Sequence, residues 1–342
     1  MLFRSMLITA AFAQEAPPIV NGDTTTDYPQ VVTLFAADSD GAGYNFCSGT
    51  LIAPKWVVTA AHCVVAMEEN DQMGMPYLIV IVGSDLNRSS TITDYSYAAD
   101  WTYHRSYDDQ TLQNDIGIVE LQDAITSIDP MPVNKDALRN SQIGDDFRYV
   151  GWGITSDNGT DSSKKRYADI PLYDYDSTFM YGYDPVDDQN VCSGDSGGAA
   201  LEILGTGKYE LAGINSFVSD DDSTYCEGGY TGGTRVDEYL DWIEDFTPVQ
   251  SYDEMYGGDA DTDSDTDSDT DSDTDSDTDT DSDTDADTDT DADPGPSTDL
   301  DEDPVRPPEV GENYSASSCA TVPGSGALAV LAAAGLFAAR RR

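Results

Sequence analysis

The chain has 342 residues, with 66 acidic against 16 basic side chains and a formal net charge of −50. That balance excludes a basic nucleic-acid footprint and disfavours docking on anionic membranes. The acidity is not confined to one segment. Residues 19–248 alone hold 39 acids and 11 bases. Solubility in salt is the simplest account of that excess, and steering of cationic substrates is the sharper one.

Near its start the chain carries Arg4, a short apolar run over residues 5–11 and the triplet Ala11-Phe12-Ala13. This pattern reads as an export signal over residues 1–13. Residues 14–18 form a short pro-segment that ends in Pro17-Pro18.

Residues 19–248 are expected to form one domain. Short β-rich runs alternate there with Gly, Asn and Asp turns, at 31–36, 56–59, 78–82, 116–121, 148–152, 199–204 and 211–217. Many short strands with turn signals predict an all-β barrel or sandwich. Apolar spacing over 239–246 predicts a closing helix.

Residues 249–318 are expected to be a disordered linker. From 257 to 303 the chain is mostly an Asp-Thr and Asp-Ser alternation, which cannot bury enough apolar surface to offset its ordering entropy. Fully extended, that stretch spans about 150 Å. Its carboxylates could take calcium, but no loop with the required glycine and glutamate is present. No cofactor is expected, and no metal site.

Residues 319–342 hold Cys319, Pro323-Gly324-Ser325-Gly326, an apolar run over 327–339 and three terminal arginines. The apolar run is short against the roughly 20 residues a bilayer needs. The segment resembles the C-terminal sorting tags of bacterial envelope proteins, particularly the cysteine-containing myxobacterial type. That resemblance implies sorting machinery as a partner, with a plain membrane anchor as the alternative.

The chemistry is concentrated in three short segments. Cys192-Ser193-Gly194-Asp195-Ser196-Gly197-Gly198 places a serine between glycines that permit a sharp turn. Thr59-Ala60-Ala61-His62-Cys63 offers a histidine and Asn114-Asp115-Ile116-Gly117-Ile118 a carboxylate. Serine is a weak nucleophile alone, and a base held by a carboxylate activates it. His104, the second histidine, lacks such surroundings and reads as a surface residue.

With Ile19-Val20-Asn21-Gly22, Cys47-Ser48-Gly49-Thr50-Leu51-Ile52, Gly151-Trp152-Gly153 and Asp241-Trp242-Ile243, these motifs resemble the trypsin/chymotrypsin-like serine protease family over residues 19–248. The resemblance implies two packed six-stranded antiparallel β-barrels with a C-terminal helix. It implies Ser196 as nucleophile, His62 as base and Asp115 as the orienting carboxylate. Gly194 and Ser196 would supply the oxyanion-hole N–H groups. It also implies disulfides Cys47–Cys63 and Cys192–Cys226, hence an oxidising compartment outside the cell or at its envelope, and leaves Cys319 over.

In the family a freed N-terminal isoleucine pairs with the aspartate before the nucleophile. Ile19 and Asp195 suit that role, so the chain looks like a zymogen. Pro18 departs from the Arg or Lys that trypsin-like activators need, so another protease, or trimming from the signal-cleavage site, is expected to expose Ile19. For substrate binding the resemblance points to Asn190, Ser216, Phe217, Val218 and Thr231. Asn190 stands where trypsin-like enzymes carry aspartate, so Arg and Lys are not the expected P1 residues. Val218 and Thr231 resemble elastase-like pockets and imply small or medium uncharged P1 side chains on protein or peptide substrates. The rival reading is a non-catalytic homologue that serves as a surface binding module, or an acidic repeat that is itself the functional part.

Overall fold

The computed structural model describes residues 19–156, 159–219, 226 and 228–257. The expected signal, the pro-segment, most of the linker and the C-terminal segment with Cys319 lie outside the described residues. No helix among the described residues is long and apolar enough to cross a membrane.

Among the described residues thirteen strands form the body: β1 Asp23–Thr24, β2 Val31–Ala37, β3 Gly43–Ala53, β4 Trp56–Thr59, β5 Tyr77–Gly83, β6 Ile92–Tyr103, β7 Gly117–Leu121, β8 Asp146–Gly151, β9 Arg166–Tyr175, β10 Phe179–Gly182, β11 Ala199–Gly205, β12 Lys208–Ser219 and β13 Tyr230–Arg235. Strands β2-β3-β4-β7-β6-β5 close one antiparallel barrel. The second sheet runs β9-β10-β13-β12-β11-β8, and β8 pairs back onto β9, so it also closes with six strands. The two-residue β1 adds to β9. The all-β, two-barrel expectation therefore holds.

Closure explains the burial pattern. β2 pairs with β3 on one side and β5 on the other, and all seven of its residues are buried. The first core gathers Val31, Leu34, Leu51, Val58 and Ile118. The second gathers Phe147, Tyr149, Ile170, Leu172 and Met180, with Ile19 packed among them. Burying a branched aliphatic or aromatic side chain contributes about 1.5–3 kcal/mol each. Trp152, fully buried, donates its indole N–H to Val31 O at 3.3 Å and so ties the end of β8 to the first barrel.

Two buried cations sit at this seam. Lys165 donates from Nζ to Tyr28 O at 2.8 Å, and burial pulls its pKa down to about 7. Arg166 donates to Gly153 O at 2.8 Å and to Asp161 Oδ2 at 2.8 Å.

The closing helix is shorter than its apolar spacing predicts. A 3₁₀ turn over Asp237–Tyr239 leads into α2, Leu240–Glu244. Its Ile243 is fully buried, and Trp242 and Trp56 both pack against Phe246. Helix α1, Ala61–Gln72, was not foreseen.

Residues 249–257, expected to belong to the linker, are part of the folded chain. Val249 is buried, Val133 N donates to Gln250 O at 2.8 Å, and Tyr252–Tyr256 forms helix α3. Ser251 and Glu254 close a capping box there, and Glu254 pairs with Lys135 at 2.7 Å.

Candidate active site

The site lies between the barrels, and each part is set by local backbone chemistry. His62 is the second residue of α1, directly after β4. Asp115 precedes β7. Asn114, at φ 59°, turns the chain there, a left-handed conformation that asparagine tolerates. Asn114 Nδ2 anchors that turn on Ser106 O at 2.8 Å.

Asp115 is fully buried and hydrogen-bonded on both oxygens. Oδ1 accepts the backbone N–H of His62 at 3.0 Å, and Oδ2 accepts His62 Nδ1 at 2.8 Å. Ser216 Oγ donates to the same Oδ2 at 2.5 Å, and Thr234 Oγ1 donates to the Asp115 carbonyl at 2.9 Å. A register shift between Asn215 and Phe217 in the β12–β13 ladder takes Ser216 out of strand pairing. Burial lowers the tendency of His62 to protonate, but the Asp115 charge and hydrogen bond outweigh it and hold the imidazole pKa above its ordinary value.

Ser196 is 5% exposed and His62 is 9% exposed. No hydrogen bond joins Ser196 Oγ to His62 among the described residues. The serine loop is nonetheless fixed against the histidine segment. Ser48 N donates to Ser196 O at 2.8 Å, and Gly197 N donates to Asn215 O at 2.7 Å. Gly197, at φ +79°, packs against Thr59 Oγ1, Ser48 O and Ala60 N, where no side chain would fit.

Gly194 has φ +96°. Its carbonyl accepts Ser48 Oγ at 2.8 Å, and the same hydroxyl accepts Trp152 N at 3.0 Å. Among the described residues, the N–H groups of Gly194 and Ser196 donate to no protein acceptor. An oxyanion hole requires N–H groups left unpaired in this way.

Asp195 is fully buried. Its Oδ1 accepts Gly153 N at 2.7 Å and its Oδ2 accepts Cys192 N at 2.9 Å. Burial pushes its pKa up to about 7, against these two bonds and the nearby Arg166 charge. Ile19 is fully buried in the second core at φ 42°, and Val20 bridges Asn190.

Of the substrate-binding candidates, Ser216, Phe217, Val218 and Thr231 lie on the adjacent strands β12 and β13. Val218 faces Thr231, and Phe217 faces Gly232, across β12 and β13. Phe217 packs edge-on against Phe179 at 5.1 Å. Asn190 is 1% exposed and precedes the serine loop.

Disulfides join Cys47 to Cys63 and Cys192 to Cys226. Cys47, His62 and Cys63 cluster within 4.8 Å, but both sulfurs are spent in the disulfide and offer no thiolate to a metal. His104 is not a free surface residue: it is half-buried, with Tyr239 at 5.6 Å and Trp242 at 5.8 Å from its ring.

Sequence reasoning missed Ser48, Thr234 and Gly153. Ser48 sits beside Cys47 inside a motif quoted for other reasons. Thr234 lies beside Arg235 at the end of β13.

The model of the family described as Trypsin matches residues 19–243. Brachyurin of Leptuca pugilator is 29% identical over 234 residues, covering 65% of this chain and 94% of that protein. Chymotrypsin-like elastase family member 1 of Bos taurus is 27% identical over 269 residues, covering 71% and 96%. The proclotting enzyme of Tachypleus tridentatus is 30% identical over 219 residues, covering 58% and 57%. With its two closed barrels and its buried histidine–aspartate pair beside a glycine-flanked serine, the chain belongs to the trypsin family.

Proposed function

We propose that this chain is an exported serine endopeptidase that hydrolyses peptide bonds through an acyl-enzyme. The observation that carries this reading is the doubly held Asp115, which fixes the ring of His62 through Nδ1 and leaves Nε2 for Ser196. Ser196 Oγ attacks the scissile carbonyl carbon while its proton passes to His62 Nε2. The carbonyl oxygen becomes an oxyanion facing the N–H groups of Gly194 and Ser196. Collapse expels the amine, which takes the proton from His62. A water molecule then repeats the sequence on the acyl ester and regenerates Ser196. Each oxyanion donor contributes about 3 kcal/mol in enzymes of this chemistry.

The precursor is activated by cleavage before Ile19, and the new ammonium pairs with Asp195. Pro18 assigns that cleavage to a protease without trypsin-like specificity. Protein or peptide substrates with small or medium uncharged P1 residues fit Asn190, Val218 and Thr231. The acidic repeat serves as a spacer, and residues 319–342 deliver or tether the enzyme to the cell envelope. A non-catalytic homologue is disfavoured because His62, Asp115 and Ser196 are all retained.

The deciding experiment is labelling with a fluorophosphonate, together with peptide hydrolysis. Labelling at Ser196, lost in Ser196→Ala, supports the enzyme. No labelling of a folded protein that starts at Ile19 would sink it.

A further inference from the structure

Each oxyanion N–H belongs to a peptide unit with a carbonyl on its other side. Gly194 N–H shares its unit with the Ser193 carbonyl, and Ser196 N–H shares its unit with the Asp195 carbonyl. A trans peptide points its C=O and N–H in opposite directions, and no peptide bond among the described residues is cis. Whatever holds the carbonyl therefore aims the N–H.

The Ser193 carbonyl is held by backbone: Ile154 N donates to it at 2.9 Å. The Asp195 carbonyl takes two donors. One is Gly198 N at 2.9 Å. The other is a side chain, Asn215 Nδ2, at 3.2 Å. The same Nδ2 reaches Val150 O at 3.4 Å. Asn215 is fully buried on β12. Its backbone also grips the serine loop: its carbonyl accepts Gly197 N at 2.7 Å, and its N–H donates to Gly198 O at 3.0 Å. The packing around Gly198 is close. A Cβ there would lie 2.4 Å from Val150 O, 2.8 Å from Asp195 O and 3.0 Å from Asn215 Nδ2, so only glycine lets the amide come in against the loop.

The two acceptors set the sense of the amide. A flipped amide would press Oδ1 against two carbonyl oxygens, so Oδ1 is the end left without a partner. An unpaired buried amide oxygen costs stability, and a core position on β12 carries it nonetheless. The next residue, Ser216, sends its hydroxyl to Asp115. Successive side chains of one strand thus reach the serine loop and the histidine–aspartate pair.

We infer that Asn215 is a positioning residue that aims the Ser196 N–H at the developing oxyanion. It acts only through the Asp195–Ser196 peptide. The inference rests on the peptidase reading above and adds a residue to its oxyanion hole.

The test uses the active protein that starts at Ile19, one peptide substrate and a peptide boronic acid of matching sequence, whose boron becomes tetrahedral on Ser196. Asn215→Leu keeps the volume and removes the donor. Asn215→Ala cannot overpack the site. Removing an oxyanion donor outright costs about 10²–10³ in kcat. Gly198 N still holds the carbonyl in both variants, so the expected fall is smaller, about tenfold, with KM unchanged. Boronic acid affinity should fall by the same factor, because the tetrahedral species is the one that needs the N–H. The acid limb of the pH–rate profile should stay in place, since Asn215 touches neither His62 nor Asp115. Asn215→Leu should melt within about 4 °C of the parent, because loss of the unpaired oxygen offsets the lost bonds.

Full kcat and full boronic acid affinity in the folded variants overturn the inference and leave the peptidase standing. A loss of kcat with boronic acid affinity unchanged, or with a shifted acid limb, overturns it by tracing the effect elsewhere. Melting more than about 10 °C lower in both variants overturns it by making Asn215 a fold residue. A parent with no turnover and no fluorophosphonate labelling overturns the peptidase reading itself.

Discussion

Ser216 Oγ and His62 Nδ1 meet on a single carboxylate oxygen, Asp115 Oδ2, at 2.5 and 2.8 Å. The serine comes from the second barrel and the histidine from the first, so Asp115 is held from both sides of the site. Ser216→Ala removes one bond from a fully buried carboxylate. A hydrogen bond to a charged group is worth about 1.5–3 kcal/mol, and the variant should lose stability of that order. Its carboxylate charge then falls on His62 alone, so the acid limb of kcat/KM should move to higher pH. Denaturant melts and a pH–rate profile check both. An unchanged profile with unchanged stability would show that the Ser216 contact carries nothing.

The His62 pKa sits above its ordinary value because Asp115 outweighs burial. Neutral His62 is the base, so activity should rise with pH through a midpoint above about 6.5. In Asp115→Asn burial is left unopposed, and the midpoint should fall below that value. The turnover number should drop by about 10⁴, as expected when the imidazole loses its orienting carboxylate. The raised pKa also gives His62 a stability contribution that is complete below about 6.5 and lost as pH rises through the folded-state value. Titration of the His62 ring protons in Ser196→Ala reads the pKa directly. A midpoint at or below 6.5 in the protein with Asp115 intact contradicts this account.

Gly194→Ala tests the oxyanion loop. At φ +96° an alanine is strained, and its Cβ would lie 3.0 Å from Gly153 Cα. Relief requires the peptide to turn, which moves the Gly194 N–H away from the site. The expected result is a fall in kcat of about 10²–10³ with little change in KM. Slower fluorophosphonate labelling should accompany it. A variant that keeps its kcat would show that the Gly194 N–H is not an oxyanion donor.

The parts that the chain sequence disclosed are those whose chemistry is contiguous. Ser196, Asp195 and Gly194 are consecutive, and His62 and Asp115 each sit in a short motif, so five site residues were readable before any fold. The β-rich runs at 56–59 and 199–204 were readable because they are short, apolar and bounded by turn residues. Strand β6 was not, because Ile92–Tyr103 alternates only weakly and most of its residues are partly exposed. Helix α1 was hidden by a sequence without a clear apolar stripe. Docking of residues 249–257 depends on partners as distant as Val133 and Glu210, which no local pattern reveals. Tyr149 reads as an ordinary strand residue, and only three-dimensional placement sets its hydroxyl against Gly182.

The proposed activation through Ile19 and Asp195 predicts a pH-dependent change in stability. Its carboxyl is wholly buried between Gly153 N and Cys192 N, and burial raises its pKa from 3.8 to about 7. A raised carboxyl pKa contributes stability that is complete below about 4 and is lost as pH rises through about 7. The three-unit shift corresponds to roughly 4 kcal/mol over that window. A chain that retains residues ahead of Ile19 should therefore melt at progressively lower temperature from pH 4 to pH 8. Once the Ile19 ammonium is free to pair with Asp195, the ionised carboxyl is stabilised and that loss should largely disappear. Melting curves of both forms across this range, with Asp195→Ala as the control, measure the difference. The gap between the two forms should widen with pH and vanish in Asp195→Ala. Parallel curves for the two forms would rule out an Asp195-centred activation and leave the function of the Ile19 end to be sought elsewhere.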